Sequence, residues 1–145
     1  MLILFRLIRS KRDEKDERRK KRNDSMLNLA HKKLDVWKKS LILVAEVYKL
    51  TQSFPREEQF GLTSQLRRAS VSVISNIAEG FARSSEIETK RFLEIARSSL
   101  VEVDTQIEIA LKLYYLNEKD IIDLTESSNH IFAMLTKLIK KFLKV

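Results

Sequence analysis

The side chains that could carry out chemistry in this 145-residue chain are few, and their spacing fits no catalytic or metal-binding pattern. There is no Cys, and the only imidazoles are those of His31 and His130. Glu126 lies one helical turn before His130, but a di-iron helical bundle needs Glu-x-x-His on two helices and two further Glu. The only glycines, Gly61 and Gly80, form no phosphate loop or dinucleotide fingerprint. We therefore expect a protein that is not an enzyme and that holds no metal or cofactor.

The basic side chains are the second source of chemistry, and they are unevenly distributed. Lys and Arg number 28 against 20 Asp and Glu, which gives a net charge of +8 and favours an anionic partner. Residues 1–25 contribute +5 of this charge and residues 26–145 only +3. We interpret 1–25 as a basic extension, disordered or a frayed helix, and 26–145 as the folded domain.

The extension leaves several interpretations open. Three interpretations fit its sequence: a basic arm that binds nucleic acid or a membrane, a dispensable tail, and an over-extended start of a chain whose patterned region opens at Met26. Its apolar stretch, Met1 to Ile8, is too short to span a bilayer, and the basic residues follow it rather than precede it as in a signal peptide. We expect a cytoplasmic protein that does not associate with membranes.

The elements that must position these side chains are predicted to be helices. Two Gly and one Pro stand where average usage gives roughly ten and seven, which argues against folds rich in turns. Apolar spacing of three and four predicts four helices. Their predicted ranges are Leu34–Gln52, Leu62–Ala82, Glu86 to about Tyr115, and a fourth helix capped by Asn117 that carries apolar residues from Ile121 to Phe142. Short connections favour an antiparallel, up-down-up-down four-helix bundle.

The apolar stripes of the first two predicted helices have different widths. The first helix shows Leu34, Trp37, Leu41, Val44 and Tyr48 at helical spacing. The second shows Leu66, Ala69, Val73, Ile77 and Gly80, and its apolar side continues through Val71, Ile74, Ala78 and Ala82. The wider arc on the second helix predicts an interface between copies of the chain, and the alternative is burial by the three neighbouring helices.

Individual residues near the second helix suggest local roles. Gly80 inside a helix costs about 1 kcal/mol relative to Ala, so it indicates a close approach of another helix. Gly61 would provide a positive φ or a tight turn before the helix. Ser85 and Glu88 have capping-box spacing. Asn76, at the edge of the stripe, would satisfy backbone groups rather than bind a ligand.

Several sequence blocks resemble one known family. The most specific is Ser75-Asn76-Ile77-Ala78-Glu79-Gly80. The others are Leu34-Asp35-Val36-Trp37, Val47-Tyr48, the segment from Phe54-Pro55 to Gly61-Leu62, Gln65-Leu66-Arg67-Arg68-Ala69, Arg91-Phe92-Leu93 and Ala96-Arg97. These blocks resemble the four-helix-bundle proteins encoded in bacterial 23S rRNA intervening sequences. The resemblance covers roughly residues 32–145.

The resemblance implies a fold and a function. The family includes relatives of the accessory variability determinant of diversity-generating retroelements. The resemblance implies an antiparallel four-helix bundle that forms a ring-shaped homo-oligomer, with a pentamer favoured. It also implies that the protein binds nucleic acid. A reverse transcriptase is the protein partner that it implies.

The candidate residues for binding RNA or DNA are basic. Three belong to or follow the second helix, and four lie on one side of the fourth: Arg67, Arg68, Arg83, Lys137, Lys140, Lys141 and Lys144. Guanidinium groups suit phosphates, but a salt-bridge network that includes Glu79 is the alternative for the arginines. For the lysines, the alternative is stabilisation of the helix C-terminus. No surface that combines aromatic and basic residues is evident, so stacking on single strands is not expected.

Two functions therefore remain open from the sequence. The first is a non-enzymatic homo-oligomer that binds nucleic acid. The second is a structural or interaction scaffold that binds a protein partner, such as a reverse transcriptase, without nucleic acid.

Overall fold

A computed structural model describes residues 26–142, and all regular secondary structure in that range is helical. The α-helices are α1 (Asp35–Leu50), α2 (Leu62–Ala82), α3 (Glu86–Lys112) and α4 (Ile122–Lys141). Short 3-10 turns lie at Ala30–Lys33, Thr51–Ser53, Arg56–Glu58 and Glu118–Ile121. The all-helical prediction is confirmed. The predicted extension 1–25 and Lys144 lie outside the described residues.

The four helices pack around one apolar core. The pair α2 and α3 has the most extensive contact, and α1 contacts α2 and α4, while α4 also contacts α3. The largest fully buried apolar side chains are Leu43, Val47, Leu66, Val73, Ile77, Leu93, Val103, Ile131 and Leu135. Each helix thus contributes to the same core, and the stripe predicted for α2 is confirmed because all its members are buried.

The apolar spacing predicted for α1 matches the buried side only in part, because Leu34 and Trp37 pack against the core. Val36, Leu43 and Val47 are buried, whereas Leu41 is 51% exposed and Tyr48 is 43% exposed. The segment from Leu41 to Ala45 is apolar at every position, so spacing alone does not single out the buried side. Leu41 and Tyr48 instead lie on the flank of α1, where an aliphatic and an aromatic side chain remain accessible.

The start of α2 is fixed by Glu58 in the preceding turn. Its Oε2 accepts a hydrogen bond from the backbone N–H of Leu62 at 2.8 Å, and its Oε1 accepts one from the hydroxyl of Tyr115 at 3.1 Å. The Gly61 N–H donates to the Glu58 carbonyl at 3.0 Å, which closes the expected tight turn. The φ of Gly61 is −103°, so the alternative of a positive φ is wrong.

Helices α2 and α3 approach closely at Gly80, as predicted. A Cβ at this position would lie 3.1 Å from Cβ of Phe92 and 3.2 Å from the carbonyl oxygen of Thr89. The Thr89 hydroxyl donates to the Gly80 carbonyl at 2.9 Å. Ser85 caps α3, and its Oγ accepts from the backbone N–H of Glu88 at 3.5 Å.

The end of α3 differs from its prediction. The helix ends at Lys112 rather than near Tyr115, because Tyr114 adopts the left-handed conformation with φ 60°. The Tyr115 N–H then donates back to the Ala110 carbonyl at 2.9 Å, a helix-ending arrangement that usually uses glycine. Asn117 begins the 3-10 turn Glu118–Ile121 rather than α4 itself.

Candidate nucleic-acid interface

An open groove of about 620 Å³ lies on the outer side of α2. Tyr48 from α1, Phe60 from the connection before α2, and Arg67, Arg68 and Val71 from α2 line it. Its other lining residues are uncharged, so within the described residues this surface carries two cations and no carboxylate. We call it the Phe60 groove.

Arg67 is held in place within the Phe60 groove. Its Nε donates to Oγ1 of Thr51 at 2.8 Å, and its guanidinium carbon lies 4.7 Å from the centre of the Tyr48 ring. Thr51 is itself buried and donates to the Val47 carbonyl at 2.8 Å. The terminal guanidinium N–H groups of Arg67 have no acceptor within residues 26–142, so they are free to bind an anion in a two-pronged manner.

Arg68 and Phe60 are the exposed members of the groove. The Arg68 side chain is solvent-exposed and has no ion-pair or hydrogen-bond partner in the described part of the chain. Phe60 is 90% exposed, and no other ring of residues 26–142 stacks on it. A cation and a bare aromatic face are therefore available to a ligand at the same surface.

Arg83 lies apart from the other two arginines. It pairs with Glu79 one turn earlier on α2, and its guanidinium carbon lies 4.9 Å from the centre of the Phe92 ring. It is 15 residues beyond Arg68, which corresponds to about 22 Å along the helix. The structure therefore does not bring the three arginines together, and Arg83 takes part in the local ion pair that was the alternative to phosphate binding.

The lysines of α4 form a separate surface. Lys137, Lys140 and Lys141 are exposed and have no acidic partner among residues 26–142. Helix α4 packs mainly on α1 and α3, whereas the Phe60 groove is built on α1 and α2. The two basic surfaces are thus distinct, and Lys144 lies outside the described residues.

The apolar arc of α2 is only partly covered by the neighbouring helices of the same chain. Val71 is 38% exposed and Ala82 is exposed, while Ile74 and Ala78 are half-buried. Val71 also lines the Phe60 groove, so the arc continues directly into it. Small, half-buried side chains of this kind can accept the backbone of a second helix at close range.

Sequence reasoning missed Tyr48 and Phe60, and its expectation that no surface combines aromatic and basic residues is wrong. The two rings come from different segments, and only folding places them beside Arg67 and Arg68. One sequence signal was present. Phe60 is the single aromatic residue of the polar stretch Arg56 to Gly61, where a buried anchor is not needed.

Asn76 satisfies its own helix, as expected. Its Nδ2 donates to the Ser72 carbonyl at 2.8 Å and to Oγ of Ser72 at 3.0 Å. The Ser72 hydroxyl also hydrogen-bonds that of Ser99 at 2.8 Å and links α2 to α3. These polar groups are used by the fold.

Glu46 and His31, which lie outside the groove, have shifted pKa values. Burial raises the pKa of the Glu46 carboxyl, and the negative charge of Asp123 adds to the rise while Lys49 opposes it. Oε2 of Glu46 is buried and has no hydrogen-bond partner among residues 26–142. Burial lowers the pKa of the His31 imidazole, which packs on Trp37 with ring centres 5.7 Å apart, and Lys32 adds to that shift.

Metal sites and membrane spans are not found among residues 26–142. No group of three or more His, Asp and Glu side chains lies close enough together there to hold a metal ion. No helix in this range combines the length and apolar character needed to cross a bilayer.

Comparisons with known proteins give a sequence match and a structural match. Residues 32–137 match the family described as 23S rRNA-intervening sequence protein. A crystal structure of a protein of unknown function from the S23 ribosomal protein family of Bacteroides thetaiotaomicron is 23% identical, with a TM-score of 0.65. The match covers 72% of this chain and 98% of that one, and it supports the fold. No curated protein matches the sequence.

Proposed function

The chain belongs to the 23S rRNA-intervening sequence protein family, and on this basis we propose that it is a non-enzymatic homo-oligomer that binds nucleic acid. The proposal includes an antiparallel, up-down-up-down bundle, a ring-shaped assembly that is favoured to be a pentamer, and a cytoplasmic location. It also includes kinship with the retroelement accessory determinant, with a reverse transcriptase as a protein partner.

The observation that carries the proposal is the Phe60 groove with its two arginines and no carboxylate. Guanidinium groups match the geometry of phosphate oxygens and stay charged at any physiological pH. The lysine surface of Lys137, Lys140 and Lys141 would supply further contacts with the backbone of RNA or DNA. A symmetric ring repeats each basic surface, so a modest charge per chain becomes a strong field in the assembly.

The apolar arc of α2 supports assembly. Val71, Ile74, Ala78 and Ala82 remain partly accessible in the single chain, and contact with a second copy would remove this apolar surface from water. The antiparallel arrangement is supported by the connection between α2 and α3, which has only three residues and leaves little length for a crossover.

The test combines an assembly measurement with a binding measurement. Light scattering should give a mass several times 17.0 kDa. A variant that combines Lys137→Glu, Lys140→Glu and Lys141→Glu should bind RNA and DNA more weakly, with an unchanged helical signal in circular dichroism because these side chains face solvent. A monomer at micromolar concentration would contradict the oligomer.

The basic extension must be separated from the folded domain in this test. Its net charge of +5 could bind nucleic acid without specificity. The full chain and fragment 26–145 should therefore be compared, and we expect the fragment to fold because no predicted core stripe uses residues 1–25. If the folded fragment binds no nucleic acid, the scaffold that binds only a protein partner takes the place of this proposal.

A further inference from the structure

We propose that the Phe60 groove selects single-stranded nucleic acid, with an unpaired base stacked on the Phe60 ring and adjoining phosphates bound by Arg67 and Arg68. This inference rests on the proposed nucleic-acid binding and adds its substrate class. Base stacking and phosphate contacts do not depend on the base sequence. The groove would therefore bind single strands without recognising a particular base.

The Phe60 ring is accessible for stacking on a base. It is 90% exposed beside Arg67 and Arg68 in one groove, and no other ring of residues 26–142 stacks on it. The ring fills no core position, and the turn before α2 is fixed by Glu58 and Gly61 instead. A base in a duplex has its faces occupied by its neighbours, so a stack on Phe60 requires an unpaired base.

The Arg67 side chain is already positioned to bind a phosphate. Thr51 and the Tyr48 ring fix the guanidinium from the protein side, while its terminal N–H donors remain without a protein acceptor in the described residues. A side chain that is already ordered loses less conformational freedom when it binds a ligand. Arg68, the next residue along α2, is exposed and offers a second cation for the adjoining phosphate.

The combination of groups in the groove favours a nucleotide over a protein as its ligand. Every nucleotide carries both an aromatic face and a phosphate, and the groove offers a ring and two cations without a carboxylate. A second copy of the chain that covered Phe60 would also have to neutralise Arg67 and Arg68, because burial of unpaired charges is costly.

The experiment uses the full chain, so the basic extension is the same in every variant. Fluorescence anisotropy would measure binding to a labelled 20-nucleotide single-stranded RNA and to a duplex of the same length. Phe60→Ala should weaken single-strand binding about 5- to 150-fold and leave duplex binding unchanged, because this variant removes only the stack on the base. Phe60→Tyr should bind single strands like the original chain, since it keeps the aromatic ring.

A matched control and a charge variant make the result specific. Tyr114→Asn removes another ring that is 93% exposed, but outside the groove, and should leave both affinities unchanged. Phe60→Ala should keep the salt dependence of single-strand binding, whereas Arg68→Ala should reduce its slope by about 0.7 for each phosphate that is no longer neutralised.

The outcomes separate this inference from the proposed function. If Phe60→Ala binds single strands like the original chain while the triple lysine variant binds weakly, the groove assignment is overturned and nucleic-acid binding stands. If Phe60→Ala reduces the mass of the assembly, the groove is occupied by a second copy, and the inference is also overturned. If neither the original chain nor any variant binds RNA or DNA, both this inference and the proposed function are wrong.

Discussion

Replacement of Gly80 by alanine tests the packing of α2 against α3, because the sign of the change in stability depends on how closely the two helices approach. In an exposed helix, Gly→Ala stabilises by about 1 kcal/mol, because alanine restricts the unfolded chain and favours the helix. Gly80 is buried, and a new Cβ would lie 3.1 Å from Cβ of Phe92 and 3.2 Å from the Thr89 carbonyl oxygen. Both distances are shorter than ordinary van der Waals contact.

The steric cost should exceed the gain in helix propensity. The Cβ of Phe92 and the backbone of Thr89 cannot move without a shift of α3, and overpacking of this kind costs about 1–3 kcal/mol. The same shift would lengthen the hydrogen bond from the Thr89 hydroxyl to the Gly80 carbonyl, now 2.9 Å, which contributes about 1 kcal/mol. After the gain in propensity is subtracted, Gly80→Ala should destabilise the protein by about 1–3 kcal/mol.

The assay is urea denaturation followed by circular dichroism at one fixed protein concentration, because assembly would make stability depend on concentration. Ala133→Gly is the matched control. Ala133 is exposed within α4, so this variant measures helix propensity alone and should lose about 1 kcal/mol. A Gly80→Ala variant that is more stable than the original chain by about that amount would refute the close approach of α2 and α3.

Three further variants test other parts of the structure. Burial raises the pKa of Glu46, so the folded protein holds the proton of this carboxyl more tightly than the unfolded chain does. The protonated carboxyl therefore contributes to folding stability below the ordinary pKa of Glu, and this contribution is lost as pH rises through the pKa of the folded protein. Urea denaturation should therefore show that Glu46→Gln becomes more stable relative to the original chain as pH rises from 4 to 7, by on the order of 1 kcal/mol at pH 7. A stability difference that is the same at pH 4 and at pH 7 would contradict this. Tyr114→Gly should raise stability by up to about 1 kcal/mol in the same assay, since glycine adopts φ 60° without strain, and a decrease would show that the exposed ring makes a needed contact. Ala78→Glu should lower the mass measured by light scattering towards 17.0 kDa with an unchanged helical signal, because it places an unpaired charge in the proposed apolar interface; an unchanged mass would exclude that arc as the interface.

Helix α2 was predictable from sequence because its signals agree. Its range, Leu62–Ala82, and its buried stripe match the prediction, since polar and apolar residues alternate with helical spacing and Gly61 marks its start. The end of α3 was not predictable in the same way. The left-handed residue there is Tyr114, so the glycine that usually signals a helix end is missing.

The groove could not be predicted because it depends on the relative placement of two helices and a connection. Because the apolar run in α1 occupies every side of the helix, the sequence does not indicate which side is buried. The exposure of Tyr48 could therefore not be predicted. Arg67 and Arg68 were identified from residue type alone. Their different environments, one fixed by Thr51 and Tyr48 and the other free, follow from packing.

The most direct test of the central claim is the binding of nucleic acid by folded fragment 26–145 over a range of salt concentrations. We predict binding to RNA or DNA at low salt that weakens linearly on logarithmic axes, with a slope of about −0.9 per phosphate neutralised on duplex DNA and about −0.7 on single strands. The absence of binding to either nucleic acid at low salt, by a fragment that retains its helical signal, would contradict the claim.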